Sequence, residues 1–128
     1  MKERRRLPDA ELEIMMIVWD AGEEVRSAEI AVRLQDRHDW AATTVLGLLS
    51  RLVARGFLSC RKDGKHNVYA PLVGREKYLQ QEGRSLLERL YGNSLRGLMA
   101  ALYDGKAIDD DDLAELQRFI EEKTKEEH

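Results

Sequence analysis

The sequence has one cysteine, two prolines and a 6% content of aromatic residues. A single cysteine, Cys60, excludes an internal disulfide framework and fits a reducing compartment. No hydrophobic run approaches the roughly 18 residues that a membrane-spanning helix needs. Residues 1–7 are mostly charged and precede Pro8, so they lack the apolar centre of a signal peptide. We therefore expect a cytoplasmic protein.

Motifs of catalysis and metal binding are also missing. The sequence has no glycine-rich phosphate loop, no nucleophile elbow and no His-Glu-x-x-His pattern. Cys60, Asp63 and His66 share one predicted hairpin, but a metal site needs three or four converging ligands, and only Cys60 and His66 can face each other. We expect no enzyme, no metal and no other cofactor, and interpret Cys60 as packed and His66 as facing phosphate.

The charge is unevenly distributed along the 128 residues. The net charge of −3 disfavours nucleic-acid binding when it is taken alone. Residues 1–75, however, carry 13 basic and 11 acidic side chains, whereas residues 76–128 carry 8 basic and 13 acidic ones. Because local field steers a polyanion more than total charge does, the first part is the candidate DNA-binding part.

Hydrophobic spacing predicts three helices in the first half of the chain. The first starts near Pro8 and ends at residues 20–22, the second covers Ala28–Asp36 after an N-cap at Ser27, and the third covers Ala42–Arg55 before Gly56. A brief strand is expected at Val25. The core face of the first helix is expected to be Leu12, Met15, Met16 and Trp19, and that of the second Ile30, Ala31 and Leu34. The core face of the third helix is expected to be Val45, Leu48, Leu49, Leu52 and Val53.

The third helix has a second face that is small, polar or basic. This face consists of Thr43, Thr44, Leu46, Gly47, Ser50, Arg51 and Arg55. Two strands are predicted after it, Phe57–Lys62 and Lys65–Ala70, with a turn at Asp63-Gly64. Phe57, Val68 and Tyr69 are expected to close the core, and the hairpin tip carries Arg61, Lys62, Lys65 and His66.

An exposed helix face beside a basic hairpin is typical of proteins that bind a DNA groove and its phosphates. A solvated amphipathic helix followed by an ordinary hairpin has the same pattern, so both readings stay open here. The order helix, helix, turn, helix, hairpin predicts a winged helix-turn-helix over residues 1–73. Ser27 at the start of the second helix and a basic arm at Arg4–Arg6 join the candidate DNA contacts.

Residues 74–128 are predicted to form three amphipathic helices, the last of them capped by Asp109. About 50 residues with few aromatic side chains cannot bury so many leucines alone, and the simplest partner is a second copy of the chain. We therefore predict a mostly α protein with a small β-wing and a C-terminal helical dimerisation segment. The expected dimer residues are Leu79, Leu86, Leu87, Leu90, Tyr91, Leu95, Leu98, Met99, Leu102, Leu113, Leu116, Phe119 and Ile120.

Several stretches together resemble the penicillinase-repressor family of BlaI/MecI/CopY-like transcriptional regulators. They are residues 12–19 (LEIMMIVW), 27–30 (SAEI), 39–44, 48–52 (LLSRL), 55–58 (RGFL), 61–65 (RKDGK), 90–92 (LYG) and 112–116 (DLAEL), with Tyr69 and Leu98. The resemblance covers roughly Leu7 to Lys123. It implies a homodimeric repressor that binds a palindromic, inverted-repeat operator on double-stranded DNA. Thr43, Thr44, Ser50 and Arg51 then match family positions near DNA, and Arg61, Lys62 and Lys65 match the basic wing.

The sequence also departs from the family pattern. Leu46 and Gly47 replace a basic residue and a threonine, so the operator need not be the usual TACA-like one, although Leu46 can contact a thymine methyl group. Ala101-Leu102 replaces the Asn-Phe bond cut during induction in β-lactam-responsive members, which puts a sensor-protease partner in doubt. The tail has no cysteine motif of the copper-responsive members. The inducing signal is therefore not predicted.

Two alternatives remain at this point. A protein-interaction module with a winged-helix shell but without specific DNA readout also fits the acidic net charge and Leu46-Gly47. A ligand-responsive regulator would have an apolar pocket between the dimer helices, lined by Leu95, Met99 and Tyr103. The same three residues are explained more simply as dimer core.

Overall fold

The computed structural model describes residues 6–126, so Arg4 and Arg5 of the predicted arm lie outside the described residues. Within this part, six helices and three strands follow in the order α1 (Asp9–Ala21), β1 (Val25–Arg26), α2 (Ser27–Gln35), α3 (Ala42–Ala54), β2 (Leu58–Asp63), β3 (His66–Pro71), α4 (Arg75–Tyr91), α5 (Leu95–Asp104) and α6 (Asp110–Glu126). The predicted mostly α fold with a small β-wing is confirmed. None of the described helices is both long enough and apolar enough to cross a membrane.

The chain divides into two compact units, Met1–Glu82 and Gly83–His128. The first unit extends past the boundary predicted after residue 73, because Tyr78 of α4 is 2% exposed and belongs to its core. The backbone N–H of Leu7 donates to Tyr78 Oη at 3.0 Å, and the Tyr78 ring lies 5.9 Å from that of Phe57. Burial raises the pKa of Tyr78. The first turns of α4 therefore complete the N-terminal core.

The boundaries of the first three helices lie within one residue of the prediction: α2 starts and ends one residue earlier than predicted, and α3 ends one residue earlier, at Ala54. Helix α1 ends at Ala21 and is followed by the C-cap residue Gly22, which has a φ of +71° and donates its N–H to the Trp19 carbonyl at 3.2 Å. The prediction that Ser27 caps α2 is wrong. Ser27 is itself the first helical residue, Arg26 holds the N-cap position, and no side-chain hydrogen bond caps the helix.

The core of the first unit is built mainly from α1, α2, α3 and the sheet. The predicted stripe of α1 is partly wrong, because Leu12, Met16 and Trp19 are only half-buried, whereas the buried residues are Glu11, Ile14, Met15, Ile17 and Val18. Helix α1 packs on α2, α3 and β3 together, and three neighbours bury a wider face than one. Val53 of α3 is also not core: it is 36% exposed, since eight residues after Val45 the helix has turned about 80° beyond it.

The sheet is antiparallel in the order β1-β3-β2, so the predicted strand at Val25 is confirmed. Phe57, Val68 and Tyr69 are buried as expected. Asp63 pairs with His66, which makes Gly64 and Lys65 the central turn residues instead of the predicted Asp63-Gly64. Gly64 has a φ of +65°, a conformation that a glycine adopts without strain and that tight hairpins require.

Helices α5 and α6 of the second unit are capped by side chains. The backbone N–H of Gly97 donates to Ser94 Oγ at 2.9 Å. The N–H of Asp112 donates to Asp109 Oδ1 at 3.0 Å, and the N–H of Asp109 donates back to Asp112 Oδ2 at 2.9 Å. This reciprocal pair is a capping box, so the predicted cap at Asp109 is confirmed.

Candidate nucleic-acid interface

Helix α3 has one buried and one exposed face. Val45, Leu48, Leu49 and Leu52 are at most 8% exposed and fix the helix against the core. The opposite face is exposed as predicted, and it consists of Thr43, Thr44, Leu46, Gly47, Ser50 and Arg51. Because packing of the buried face fixes the rotation of α3 about its axis, these side chains always face outward. They present hydroxyl groups, one guanidinium and one apolar leucine.

The two arginines at the end of this face differ in their contacts. Arg55 Nη1 donates to both carboxylate oxygens of Glu11, at 3.0 and 3.3 Å. Glu11 is 1% exposed, so Arg55 compensates a buried charge. Within residues 6–126, Arg51 has neither a side-chain hydrogen bond nor an ion pair. Sequence reasoning missed the contact between Arg55 and Glu11 because it assigned Glu11 only to the first turn of α1.

The wing cations divide in the same way. Arg61 donates through Nε and Nη2 to the two oxygens of Glu24, at 2.7 and 2.6 Å. These hydrogen bonds lower the pKa of Glu24 and raise that of Arg61. Lys62 and Lys65 are exposed, and neither has an ion-pair partner in the part of the chain that the structure describes. The unpaired positive charge of the wing therefore comes from two lysines.

The beginnings of α2 and α3 lie together. Neither helix has a side-chain cap on its first backbone N–H groups, in contrast to α5 and α6. Between them is a cavity of about 170 Å³, lined by Ser27, Ala28, Ala31, Ala42, Val45 and Leu46. Uncapped N–H groups at helix starts are ready donors to an anion such as a phosphate.

The turn between α2 and α3 is fixed by contacts that sequence reasoning did not find. His38 contacts the Glu13 carboxylate of α1 through Nε2. Its ring stacks on that of Trp40, with centroids 4.2 Å apart and planes 7° apart. Trp40 in turn packs against the core. These contacts tie the start of α3 to α1.

A helix-turn-helix followed by a basic wing is the geometry of a DNA-binding protein, and comparison with known sequences assigns its family. The sequence model for the penicillinase repressor family matches residues 7–122. The chain belongs to this family. It is 27% identical to the penicillinase repressor of Bacillus licheniformis over 122 residues, 95% of this chain and 94% of that protein. The methicillin resistance regulatory protein MecI of Staphylococcus aureus strain N315 is 24% identical over 117 residues, 91% of this chain and 94% of that protein.

Solved structures agree with this assignment. The DNA-binding domain of the repressor BlaI, determined in solution, is 31% identical with a TM-score of 0.54, over 61% of this chain and 94% of that chain. Monomeric BlaI of Bacillus licheniformis in complex with the blaP half-operator gives a TM-score of 0.52 at 31% identity, with the same coverage. This family member is therefore related to transcriptional repressors with a DNA-binding winged helix, and not to enzymes.

The cysteine of this penicillinase-repressor family member is not packed as predicted. Cys60 is exposed, and it lies opposite Tyr69, not opposite His66, because the strand register pairs residues 60 and 69. Burial raises the pKa of Tyr69, and the neighbouring Cys60 raises it further. Among the described residues, no three His, Cys, Asp or Glu side chains are grouped so that they can hold a metal ion.

The second unit of this family member carries much uncovered apolar surface. No residue of α5 or α6 is fully buried within the single chain. Leu90, Leu95, Phe119 and Ile120 are 51–59% exposed. Tyr103 lines a cavity of about 540 Å³ together with Asp104, Lys106, Ile108, Asp109 and Asp110.

Proposed function

We propose that this protein is a homodimeric, sequence-specific DNA-binding transcriptional repressor that acts on an inverted-repeat operator. The observation that carries the proposal is the exposed face of α3 beside the basic wing. Arg51 on this face, and Lys62 and Lys65 on the wing, have no side-chain partner among the described residues. The family membership and the half-operator complex of the related BlaI support it. A target on cellular DNA also supports the expected cytoplasmic location.

In this proposal α3 lies in a major groove and reads base edges. Arg51 can donate two hydrogen bonds to a guanine, which is the commonest specific contact between a side chain and a base. Thr43, Thr44 and Ser50 supply hydroxyls, and Leu46 supplies an apolar surface for a thymine methyl group. Gly47 adds no side chain between the helix and the groove. Leu46 and Gly47 replace a basic amino-acid residue and a threonine of the usual family pattern, so a different operator sequence is expected.

Phosphate contacts would set the position of α3 on the duplex. The uncapped N–H groups at the start of α2, with the Ser27 hydroxyl, offer donors to one strand. Lys62, Lys65 and His66 at the wing tip offer contacts of a sequence-independent kind. Arg55 and Arg61, which were also predicted to contact DNA, are hydrogen-bonded to Glu11 and Glu24, so this proposal does not count them among the phosphate contacts.

The uncovered leucines of the second unit support a homodimer. Leu95 and Phe119 are more than half exposed in one chain, which is unusual for large apolar side chains on neighbouring helices. A second copy of residues 74–128 would cover them. Two-fold symmetry then fixes two half-sites about one helical turn apart, so tight binding depends on the dimer.

The first test is fluorescence anisotropy with the protein's own promoter and with a scrambled duplex, each at two salt concentrations. We expect the promoter to bind at least about a thousandfold more tightly than the scrambled duplex. Equal, salt-sensitive binding to both would contradict specific readout. Absence of binding at either salt would instead support the protein-interaction module, which the exposed Leu46 in α3 also fits.

Induction through a sensor-protease has less support. The bond Ala101-Leu102 lies inside α5, so a protease would have to open this helix before cutting it. Growth of the cells with and without a β-lactam, followed by mass spectrometry of the chain, tests the point. We expect the chain to stay intact between residues 101 and 102, and a cut there would restore the protease as a partner.

A further inference from the structure

The outer face of the wing sheet carries four charged side chains of alternating sign. On the central strand, Val68 pairs with Arg26 of β1 on one side and with Arg61 of β2 on the other. Directly paired residues of neighbouring strands point to the same face. Asp63 lies two residues after Arg61 and therefore shares this face, and Glu24 reaches it from just before β1.

The four side chains form two ion pairs across the central strand. Arg61 is held by Glu24 through two hydrogen bonds of 2.7 and 2.6 Å. Arg26 Nη2 lies 3.6 Å from Asp63 Oδ2. Each pair joins β1, or the residue before it, to β2, although these strands are not neighbours. The net charge of the quartet is zero.

The burial of Val68 supports this geometry. Val68 is 5% exposed, yet it does not belong to the core cluster. Its neighbour Tyr69 does, and it points to the opposite face. The two arginines that flank Val68 on the neighbouring strands are in position to cover it with their hydrocarbon stems, since arginine readily lays its stem on an apolar surface. The two ion pairs thus lie over Val68 on the outer face of the sheet.

The quartet lies close to the proposed DNA surface. Arg26 is the N-cap residue of α2, whose first N–H groups are uncapped, and Arg61 precedes Lys62 in the wing. An arginine released here would add a cation beside the phosphate contacts. Side chains alternate along a strand, so Lys62 points to the other face of β2 and is not held by the carboxylates of the quartet.

We propose that Glu24 and Asp63 limit non-specific DNA affinity by holding Arg61 and Arg26 on the outer face of the wing. The inference rests on the proposed function, and it makes the two carboxylates specificity-determining residues although neither contacts DNA. Without them the arginines would bind phosphates of any sequence and reduce the discrimination that α3 provides.

The test compares Glu24→Gln with the wild type on the promoter and on a scrambled duplex. One added phosphate contact increases the salt slope by about 0.9. Between about 50 and about 200 mM salt, the affinity of the variant for scrambled duplex should therefore fall about 3.5-fold more than that of the wild type. At the lower salt the variant should bind scrambled duplex more tightly, with a smaller ratio of promoter to scrambled affinity. Asp63→Asn, which releases Arg26, should change both quantities in the same direction.

Two further variants separate release of an arginine from other effects. Glu23→Gln removes the same charge one residue away, and within residues 6–126 Glu23 has no ion pair to lose. Its effect should be clearly smaller than that of Glu24→Gln. Adding Arg61→Gln to Glu24→Gln removes the released charge and should reverse the gain in salt slope.

The outcomes are distinct. Equal effects of Glu23→Gln and Glu24→Gln would overturn the inference and leave the proposed function intact. A weaker affinity of Glu24→Gln for both duplexes, not reversed by Arg61→Gln, would assign the quartet a purely structural role and would also overturn it. If the wild type binds neither duplex, the proposed function itself fails, and this inference fails with it.

Discussion

The contact between Glu11 and Arg55 gives a sharp prediction for stability. Arg55→Met keeps most of the side-chain stem and removes the guanidinium, which leaves the Glu11 carboxylate without hydrogen bonds of 3.0 and 3.3 Å. The Glu11 side chain is 2% exposed, so water cannot replace the lost partner without a rearrangement of α1. The variant should therefore be less stable than the wild type even in the absence of DNA.

The magnitude follows from the burial of the two partners. Removing one partner of a fully buried ion pair costs about 3–5 kcal/mol, and losing a hydrogen bond to a charged group costs about 1.5–3 kcal/mol. The Arg55 side chain is 41% exposed, so solvent already screens the pair and the lower end applies. We expect the free energy of unfolding to fall by about 2 kcal/mol, which corresponds to a Tm lower by roughly 10 °C.

Urea unfolding followed by tryptophan fluorescence measures this change. The sequence has two tryptophans, Trp19 and Trp40, and both lie in the first unit with the ion pair. Arg51→Met is the matched control, because Arg51 lies one turn earlier on α3, is exposed and has no partner among the described residues. Its free energy of unfolding should stay within about 0.5 kcal/mol of the wild type.

A double-mutant cycle identifies the cause. Glu11→Gln combined with Arg55→Met replaces the buried charge by a neutral amide, so the cost of Arg55→Met should be clearly smaller in this background. The reasoning is refuted if Arg55→Met is as stable as Arg51→Met. It is also refuted if Arg55→Met costs the same with Glu11 and with Gln at position 11.

Four further predictions concern binding, assembly and pH. Arg51→Met should weaken promoter binding by about 1–3 kcal/mol in anisotropy titrations, because it would remove the proposed base contact. Lys62→Ala should weaken promoter and scrambled duplex alike and lower the salt slope by about 1. Phe119→Asp should convert a dimer into a monomer in analytical ultracentrifugation and abolish tight promoter binding, because it charges an exposed apolar site of α6. The Tm advantage of the wild type over Glu24→Gln should be present above pH 4.5, the ordinary pKa of the group, and should disappear as the pH falls through the lowered pKa of Glu24 in the folded protein.

Each of these predictions has a result that contradicts it. Unchanged promoter affinity of Arg51→Met removes the role assigned to Arg51, and a loss confined to the promoter for Lys62→Ala contradicts a phosphate contact. For the dimer, Gln117→Asp adds the same charge at an exposed polar position of α6 and should leave the dimer intact. A Tm difference between the wild type and Glu24→Gln that grows in acid would contradict the sign of the pKa shift.

Much of the fold could be predicted because its signals are local. The period of the apolar residues indicated α3, Gly56 and Gly22 ended helices, and Asp109 began the last one. The order of three helices followed by a hairpin was enough to predict the winged helix. The turn was displaced by one residue, since Asp63-Gly64 and Gly64-Lys65 differ only in strand register, which pairing decides.

The candidate DNA surface was predictable in outline but not in its charges. Judged from the sequence alone, each of four cations is equally available to bind DNA: Arg51, Arg55, Arg61 and Lys62. Their difference comes from carboxylates far away along the chain: Glu11 is 44 residues from Arg55, and Glu24 is 37 residues from Arg61. No periodicity relates residues at such separations.

The sequence by itself therefore determined the helices, the hairpin, the polar face of α3 and the family, because hydrophobic period, turn residues and motif order are properties of neighbouring residues. Only the tertiary structure decided which cations are free. Packing α1 against α3 placed Glu11 under Arg55. The sheet order β1-β3-β2 placed Glu24 across the central strand from Arg61, and Arg26 across it from Asp63. An ion pair depends on distance in space, and folding alone sets that distance.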